Sequence, residues 1–122
     1  MAIVLTDREA DVMAVLWARG ASNVAEVRDS LSDELAYTTV LTILRTLEAK
    51  GYVDYEAEGR AHRYFAKVQQ QAARKNAVKH LVGKLFQGSA ELLLTQLVTD
   101  HKLNDEQVAR ISKLLAERGK SK

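Results

Sequence analysis

The chain has 122 residues, which suggests one domain, or one small domain with an appendage. Its composition, 47% hydrophobic and 28% charged, is typical of a soluble globular protein. The absence of cysteine excludes disulfides and thiolate metal sites, and no apolar run approaches the ~18 residues that a membrane-spanning helix needs. The N-terminus has no basic segment followed by an apolar stretch, so no secretory signal is indicated and a cytoplasmic location is expected.

Charge is distributed unevenly along the chain. Residues 1–68 carry eight basic and eleven acidic side chains, a net charge of −3, whereas residues 69–122 carry ten and five, a net charge of +5. Bulk charge therefore does not by itself indicate a nucleic-acid-binding protein. Local placement is more informative, because several cations lie close together along the sequence: Arg45, Lys50, Arg60, Arg63 and Lys67.

Two capped helices are predicted at the start of the chain. Thr6 followed three residues later by Glu9 is a capping box, and Asn23 with Glu26 repeats the pattern. Trp17, the one tryptophan, is expected to pack in the core. The remaining apolar positions of the two helices are Val12, Met13, Val15, Leu16, Val24, Val27 and Leu31.

A third helix is predicted over residues 37–50, and its two faces differ. The spacing i, i+3, i+4, i+7 predicts one buried face, formed by Val40, Ile43, Leu44 and Leu47. The opposite face carries Thr38, Thr42, Arg45, Thr46 and Ala49, with Thr39 at its flank. Threonine is a poor helix former but suits a close approach to DNA, because its hydroxyl reaches a phosphate or a base edge and its methyl packs on the thymine methyl. A capping role would explain one threonine and not four, so the pattern favours a DNA-recognition helix.

Two β-like runs, residues 52–56 and 62–68, follow this helix and are separated by residues 57–61, which include Gly59. The pattern predicts a hairpin, and a hairpin directly after a recognition helix is a wing. Arg60 near the tip is predicted to reach a phosphate or the minor groove, the alternative being a solvated loop charge. Two helices, a short turn, a helix with a polar face and a hairpin together indicate a winged helix-turn-helix.

The rest of the chain, residues 69–122, is predicted to form three helices that are apolar on too many faces for so small a unit. The simplest partner that could cover these apolar faces is a second copy of the chain, because a two-fold dimer buries the same patch on both copies. The alternative is that residues 69–122 fold back on the first domain. The predicted fold is therefore mainly α with a small β-hairpin wing: a winged helix-turn-helix domain at 1–68, and a three-helix C-terminal dimerisation arm at 69–122. The residues assigned to the dimer interface are Leu81, Leu85, Phe86, Leu93, Leu94, Leu97, Ile111, Leu114 and Leu115.

The sequence contains no recognisable catalytic constellation. His62, His80 and His101 form no H-E-x-x-H motif, and there is no G-x-S-x-G or glycine-rich phosphate loop. The chain is therefore not expected to be an enzyme or to hold a cofactor or metal. The one metal arrangement left open pairs His101 with Asp100 across a dimer interface.

Four stretches carry a resemblance to a known family: L-T-D-R-E-A-D-V-M-A-V-L-W, N-V-A-E-V, Y-T-T-V-L-T-I-L-R-T-L-E-A-K-G-Y-V and E-G-R-A-H-R-Y. Together they resemble the penicillinase repressor family of bacterial winged-helix regulators, the BlaI/MecI type, over essentially the full length. The resemblance implies a homodimer in which an N-terminal winged helix reads DNA and interlocked C-terminal helices hold the dimer. It also implies repression of promoters that carry an inverted repeat of the TACA/TGTA kind.

The resemblance assigns DNA-reading roles to Thr38, Thr39 and Thr42, phosphate or flanking contacts to Tyr37, Arg45 and Thr46, and a wing contact to Arg60. In antibiotic-responsive members a membrane-bound metalloprotease sensor cleaves the middle helix of the arm, which corresponds to residues 92–98. The Asn-Phe bond of staphylococcal members is absent, and residues 96–97, Gln-Leu, stand at roughly its place. Copper-responsive members use a C-terminal cysteine cluster, which this chain lacks.

We therefore predict a homodimeric DNA-binding transcriptional repressor in the cytoplasm, associated with the nucleoid. The alternative is a winged-helix protein-interaction module without sequence-specific DNA binding, which the −3 charge of residues 1–68 favours. A third possibility is a repressor that senses a small molecule in the apolar interface of the arm, although no pocket for one is defined by the sequence.

Overall fold

The computed structural model describes residues 2–120, the last of them by its backbone alone. The elements in chain order are α1 (Asp7–Arg19), α2 (Val24–Ser30), α3 (Tyr37–Ala49), β1 (Val53–Glu58), β2 (Ala61–Ala66), α4 (Gln70–Leu85), α5 (Ala90–Thr99) and α6 (Asp105–Lys120). This order confirms the predicted fold class, mainly α with a small β-hairpin wing. The chain divides into two compact units, residues 1–78 and 79–122, and the division falls inside α4. The domain assignment of 1–68 and 69–122 stays a prediction.

Both predicted capping boxes are present at the starts of α1 and α2. The Glu9 backbone N–H donates to Thr6 Oγ1 at 3.2 Å, and the Thr6 N–H donates to Glu9 Oε1 at 2.8 Å. The same reciprocal pair joins Asn23 and Glu26, at 2.8 and 3.0 Å. Each box satisfies N–H groups that the first turn of a helix leaves without partners, which fixes where the helix begins.

One hydrophobic core holds the first unit together, and α3 supplies its centre. Three of the four predicted core residues of α3 are fully inaccessible, Val40, Leu44 and Leu47, whereas Ile43 is half-buried at the edge of the core. The other buried apolar residues are Val12, Met13, Leu16, Val24, Val27, Tyr52, Val53 and Tyr64. Helices α1, α2 and α3 therefore enclose the base of the hairpin, and α3 can turn only its remaining face to solvent.

The two strands extend further towards the turn, and the turn is shorter, than the sequence predicted. Strand β1 pairs with β2 from Val53↔Ala66 to Glu58↔Ala61, so the turn comprises residues 59 and 60 and not 57–61. The small side chains of Ala57 and Ala61 allow the ladder to continue, and Gly59 takes the turn at a φ of 62°.

Two contacts attach the hairpin to the helices. Ser22 and Tyr64 exchange backbone hydrogen bonds at 2.9 and 2.8 Å, which form an isolated antiparallel bridge to the hairpin just before α2. Trp17 packs partly buried against the core, as predicted, and its indole Nε1–H donates to the Val68 carbonyl at 2.9 Å. The second half of β2 and the residues that follow it are thereby held against the helical part of the unit.

Residues 79–122 form a separate helical unit that is built around turns with left-handed backbone. Gln87 and Gly88 have φ of 48° and 78° between α4 and α5. Before α6, Asn104 and Gln107 form a capping box with hydrogen bonds of 2.8 and 2.9 Å. Among residues 79–119 no side chain is buried. None of the helices in the described part of the chain is both long and apolar enough to cross a membrane.

A buried ion pair joins the start of α1 to the end of α3. Lys50 Nζ donates to Glu9 Oε1 at 2.8 Å, and the Glu9 side chain is 5% exposed while that of Lys50 is 36% exposed. Burial by itself raises the pKa of Glu9, but the hydrogen bonds from Lys50 and from the Thr6 backbone, with the charge of Lys50, hold that pKa below its ordinary value. The ionised carboxylate therefore stabilises the fold.

We expect Glu9→Gln to lower the free energy of unfolding at pH 7 by about 1–3 kcal/mol, since a charge-assisted hydrogen bond is lost. A carboxyl whose pKa is lowered by folding contributes stability above its unfolded pKa, and that contribution is lost as the pH falls through the folded value. Urea unfolding at pH 7, 5 and 3 should therefore show the gap between the two proteins closing towards acid. Glu34→Gln is the control, because Glu34 is exposed and has no hydrogen-bond or ion-pair partner among the described residues. A gap of constant size across this range would contradict the role of the ionised carboxylate.

Candidate nucleic-acid interface

The solvent-facing side of α3 brings six of the seven predicted DNA-binding residues together. All six are exposed: Tyr37, Thr38, Thr39, Thr42, Arg45 and Thr46. The seventh, Arg60, is exposed at the turn of the hairpin. The side chains lie where they are because the opposite face of α3 is held in the core. We call the exposed set on α3 the threonine face.

None of the threonines is there to cap the helix. The residue at the N-cap of α3 is Ala36, and no side chain makes a capping hydrogen bond at that end. The capping interpretation of Thr38 and Thr39 is therefore wrong. The first turn of α3 leaves backbone N–H groups and a partial positive charge facing solvent, which is an environment that suits an anion such as a phosphate.

Two of the threonine hydroxyls are already engaged within the helix. Thr42 Oγ1 donates to the Thr38 carbonyl at 2.9 Å, and Thr46 Oγ1 donates to the Thr42 carbonyl at 3.0 Å. The hydroxyls of Thr38 and Thr39 make no hydrogen bond within the described residues. The threonine face thus contains two kinds of hydroxyl, a distinction that the sequence analysis did not draw.

Only part of the basic cluster around α3 is available to an anion. Lys50 is paired with Glu9, and Arg63 is paired with Glu26 and Glu58 at 3.2 and 3.3 Å. In contrast, Arg45, Arg60 and Lys67 have no carboxylate within ion-pair distance among the described residues. The cations of this cluster that remain available to an anion are therefore Arg45 on α3, Arg60 at the turn of the wing and Lys67 after β2.

The sequence analysis missed the role of Arg63, which fixes the wing to α2. Besides its ion pairs, Arg63 donates to the Ala21 carbonyl at 2.6 Å. Its partner Glu26 also accepts hydrogen bonds from Arg19 at 2.5 Å and from the Asn23 backbone N–H. The bond from the Asn23 backbone is the largest cause that holds the pKa of Glu26 below its ordinary value, and Arg19 and Arg63 lower that pKa further. The alternation of side chains along β2 could have predicted that Arg63 lies on the face opposite Tyr64. It could not have predicted that Glu26 is the carboxylate that pairs with Arg63.

On the hairpin face that carries Tyr64, two further aromatic side chains, Tyr55 and His62, stack on each other. The rings of Tyr55 and His62 stack with centroids 4.0 Å apart and planes 16° from parallel. Tyr64 meets both rings at 5.6 and 6.3 Å while lying in the core. The stack stiffens the outer half of the wing, which supports Arg60 at the turn.

The residues assigned to the dimer interface lie in the second unit. Six of them are exposed, Leu81, Leu85, Leu94, Leu97, Leu114 and Leu115, and three are half-buried, Phe86, Leu93 and Ile111. Of the histidines, His101 adopts a φ of 55° at the end of α5. Among the described residues no three His, Asp or Glu side chains are grouped closely enough to hold a metal ion.

Comparison with known proteins identifies the family. A family model described as penicillinase repressor matches residues 5–117. The chain belongs to the penicillinase repressor family. This family of transcriptional repressors is the one that the sequence motifs predicted. The transcriptional regulator BlaI of Mycobacterium tuberculosis is 32% identical over 120 residues, with 80% of this chain and 87% of that protein covered. The penicillinase repressor of Bacillus licheniformis is 23% identical over 115 residues, with 93% and 90% covered.

A solved structure also supports the winged-helix fold of this penicillinase repressor family member. The solution structure of the monomeric form of Bacillus licheniformis BlaI, in complex with the blaP half-operator, is 27% identical. It matches with a TM-score of 0.51 and covers 59% of this chain and 90% of that one.

Proposed function

We propose that the protein is a homodimeric transcriptional repressor that binds an inverted-repeat operator of the TACA/TGTA kind through α3 and the wing. The observation that carries the proposal is the threonine face, six exposed polar and aromatic residues held outward by a fully buried stripe on the same helix. Membership of the penicillinase repressor family supports it, as does the half-operator complex of a relative. Such a repressor works in the cytoplasm, at the nucleoid.

The threonine face would enter the major groove, where base edges carry the sequence information. Arg45 and Arg60 would contact phosphates, which set the register of the protein but do not specify bases. In a two-fold dimer the two α3 helices would lie about one or more turns of DNA apart, ~34 Å for each turn. Bound in this way, the dimer would block access of polymerase to the promoter.

The proposal is tested by selecting bound sequences from random duplex DNA with the purified full-length protein, at ~150 mM salt so that nonspecific phosphate binding is suppressed. Enrichment of an inverted repeat is the expected result. A folded protein that enriches no sequence would overturn the proposal and favour a winged-helix protein-interaction module, which the −3 charge of residues 1–68 suits.

Arg60→Ala should weaken binding to all duplex sequences alike, because a phosphate contact carries no base preference. The slope of log K against log salt should fall by about one unit, since one fewer counterion is released. Lys113→Ala is the control, because it removes one positive charge from an exposed position on α6, on the side that faces away from Ile111 and Leu115. A change in sequence preference without a change in slope would show that Arg60 reads bases.

In this proposal a second copy of the chain covers the exposed apolar side chains of the C-terminal arm. Several large apolar side chains of residues 79–122 are more than one-third exposed in the single chain, up to 70% for Leu85 and 64% for Leu114. So many exposed large apolar side chains within one small unit favour a protein interface there. A two-fold dimer covers the patch on both copies at once.

Leu114→Glu should shift the protein from dimer to monomer in sedimentation at micromolar concentration, because a buried unpaired charge opposes the interface. Ala109→Glu is the matched control, since it places the same charge at an exposed position on the side of α6 that faces away from Ile111, Leu114 and Leu115. A monomeric mass for the unaltered protein would contradict the dimer, and a dimer that survives Leu114→Glu would place the interface elsewhere.

Relief of repression is proposed to follow the family pattern, through a membrane-bound metalloprotease sensor that cuts the arm within residues 92–98. This segment lies inside α5, where none of the side chains is buried. A cut there would separate α6 from the rest of the arm and thereby weaken the dimer.

A further inference from the structure

We infer that Thr42 reads the operator as a hydrogen-bond acceptor and as a methyl group, and not as a hydrogen-bond donor. It would favour adenine, cytosine or thymine as the base whose edge faces it, because these bases present an amino group or a methyl group, and it would not recognise the N7 and O6 acceptors of guanine. This inference rests on the proposed function, because it concerns how the same helix chooses its sequence.

The inference starts from the single proton of a threonine hydroxyl. Thr42 Oγ1 donates that proton to the Thr38 carbonyl at 2.9 Å, and Thr46 repeats the arrangement one turn later. A hydroxyl oxygen also has two lone pairs, which these bonds leave available on the exposed face. What Thr42 offers to a ligand is therefore an acceptor and a methyl group.

The position of each threonine in α3 explains why its hydroxyl differs from the others. A side chain that bonds back to the carbonyl four residues earlier needs that carbonyl to lie within the helix or at its cap. For Thr42 and Thr46 the carbonyls belong to Thr38 and Thr42, inside α3. For Thr38 and Thr39 they would belong to residues 34 and 35, which precede the helix. The first turn therefore keeps its hydroxyl donors for phosphates, and the later turns do not.

The major groove distinguishes these two kinds of hydroxyl. Adenine and cytosine present amino groups there, thymine presents a methyl group, and guanine itself presents only the N7 and O6 acceptors. An acceptor with a neighbouring methyl group matches the first three and finds no partner on guanine. The internal hydrogen bond also fixes the orientation of the Thr42 side chain before DNA arrives, so little side-chain freedom is lost on binding.

Two isosteric variants separate the two properties of Thr42. Thr42→Val keeps a methyl group and removes the oxygen, whereas Thr42→Ser keeps the hydroxyl and removes the methyl. The base pair that faces residue 42 is identified first, as the pair whose preference changes in Thr42→Ala during the duplex selection. All three changes are at an exposed position of α3, so none is expected to unfold the helix, and Thr42→Ala should raise the melting temperature slightly because alanine is the better helix former.

Thr42→Val should lose the preference for the amino-bearing base at the facing pair by about two- to tenfold in relative affinity, the range for one hydrogen bond, and should keep any preference for thymine. Thr42→Ser should do the reverse. With the unaltered protein, replacing the facing thymine by uracil should weaken binding, and replacing guanine by 7-deazaguanine should not. Thr39→Val is the matched control, because it removes an uncommitted hydroxyl from the same helix and should lower affinity for all sequences alike.

The outcomes distinguish this inference from the proposed function. If the unaltered protein enriches no sequence, both fail. If it enriches an operator but Thr42→Ala changes no base preference, the inference fails and the proposed repressor function remains. The same holds if 7-deazaguanine at the facing pair weakens binding and Thr42→Val abolishes that effect. Position 42 is exposed, and any one of the three variants that folds can identify the facing pair, so the question is decided even if another variant does not fold.

Discussion

The burial of one stripe of α3 is the constraint on which the rest of the first unit depends. Val40, Leu44 and Leu47 are fully inaccessible, and each contributes about 1.5–3 kcal/mol through the burial of its apolar side chain. A helix that is held so firmly on one side has no rotational freedom about its axis. The outward direction of Thr38, Thr39 and Thr42 follows from that packing, so the poor helix-forming tendency of threonine is offset by contacts on the far side of the helix.

Features that depend on residues close in sequence were predictable, because the chain itself brings their partners together. The capping boxes at Thr6 and Asn23 span three residues, and both are present as predicted. The back-bonds of Thr42 and Thr46 span four residues and were open to the same reasoning. The length of the hairpin turn was not, because pairing at Ala57 and Ala61 depends on a partner strand as well as on local turn residues.

The fate of the charges shows where sequence reasoning ends. Lys50 and Arg63 lie near Arg45 and Arg60 along the chain, which suggested one basic cluster. Their actual partners are Glu9, 41 residues from Lys50, and Glu26, 37 residues from Arg63. Such long-range pairing is invisible to spacing rules, and it divides the cluster into cations that hold the fold together and cations that remain available to an anion.

Because Trp17 donates a hydrogen bond to Val68, tryptophan fluorescence can be used to follow the folding of the first unit. Trp17 is the one tryptophan of the chain, and its indole N–H meets a carbonyl 51 residues away, between the end of β2 and the start of α4. Its fluorescence is therefore sensitive to whether the last strand still lies against α1. Residues 79–122 contain no tryptophan, so the second unit has no tryptophan emission that could report its unfolding. Fluorescence and circular dichroism recorded together on the intact chain therefore separate the melting of the two units without any label.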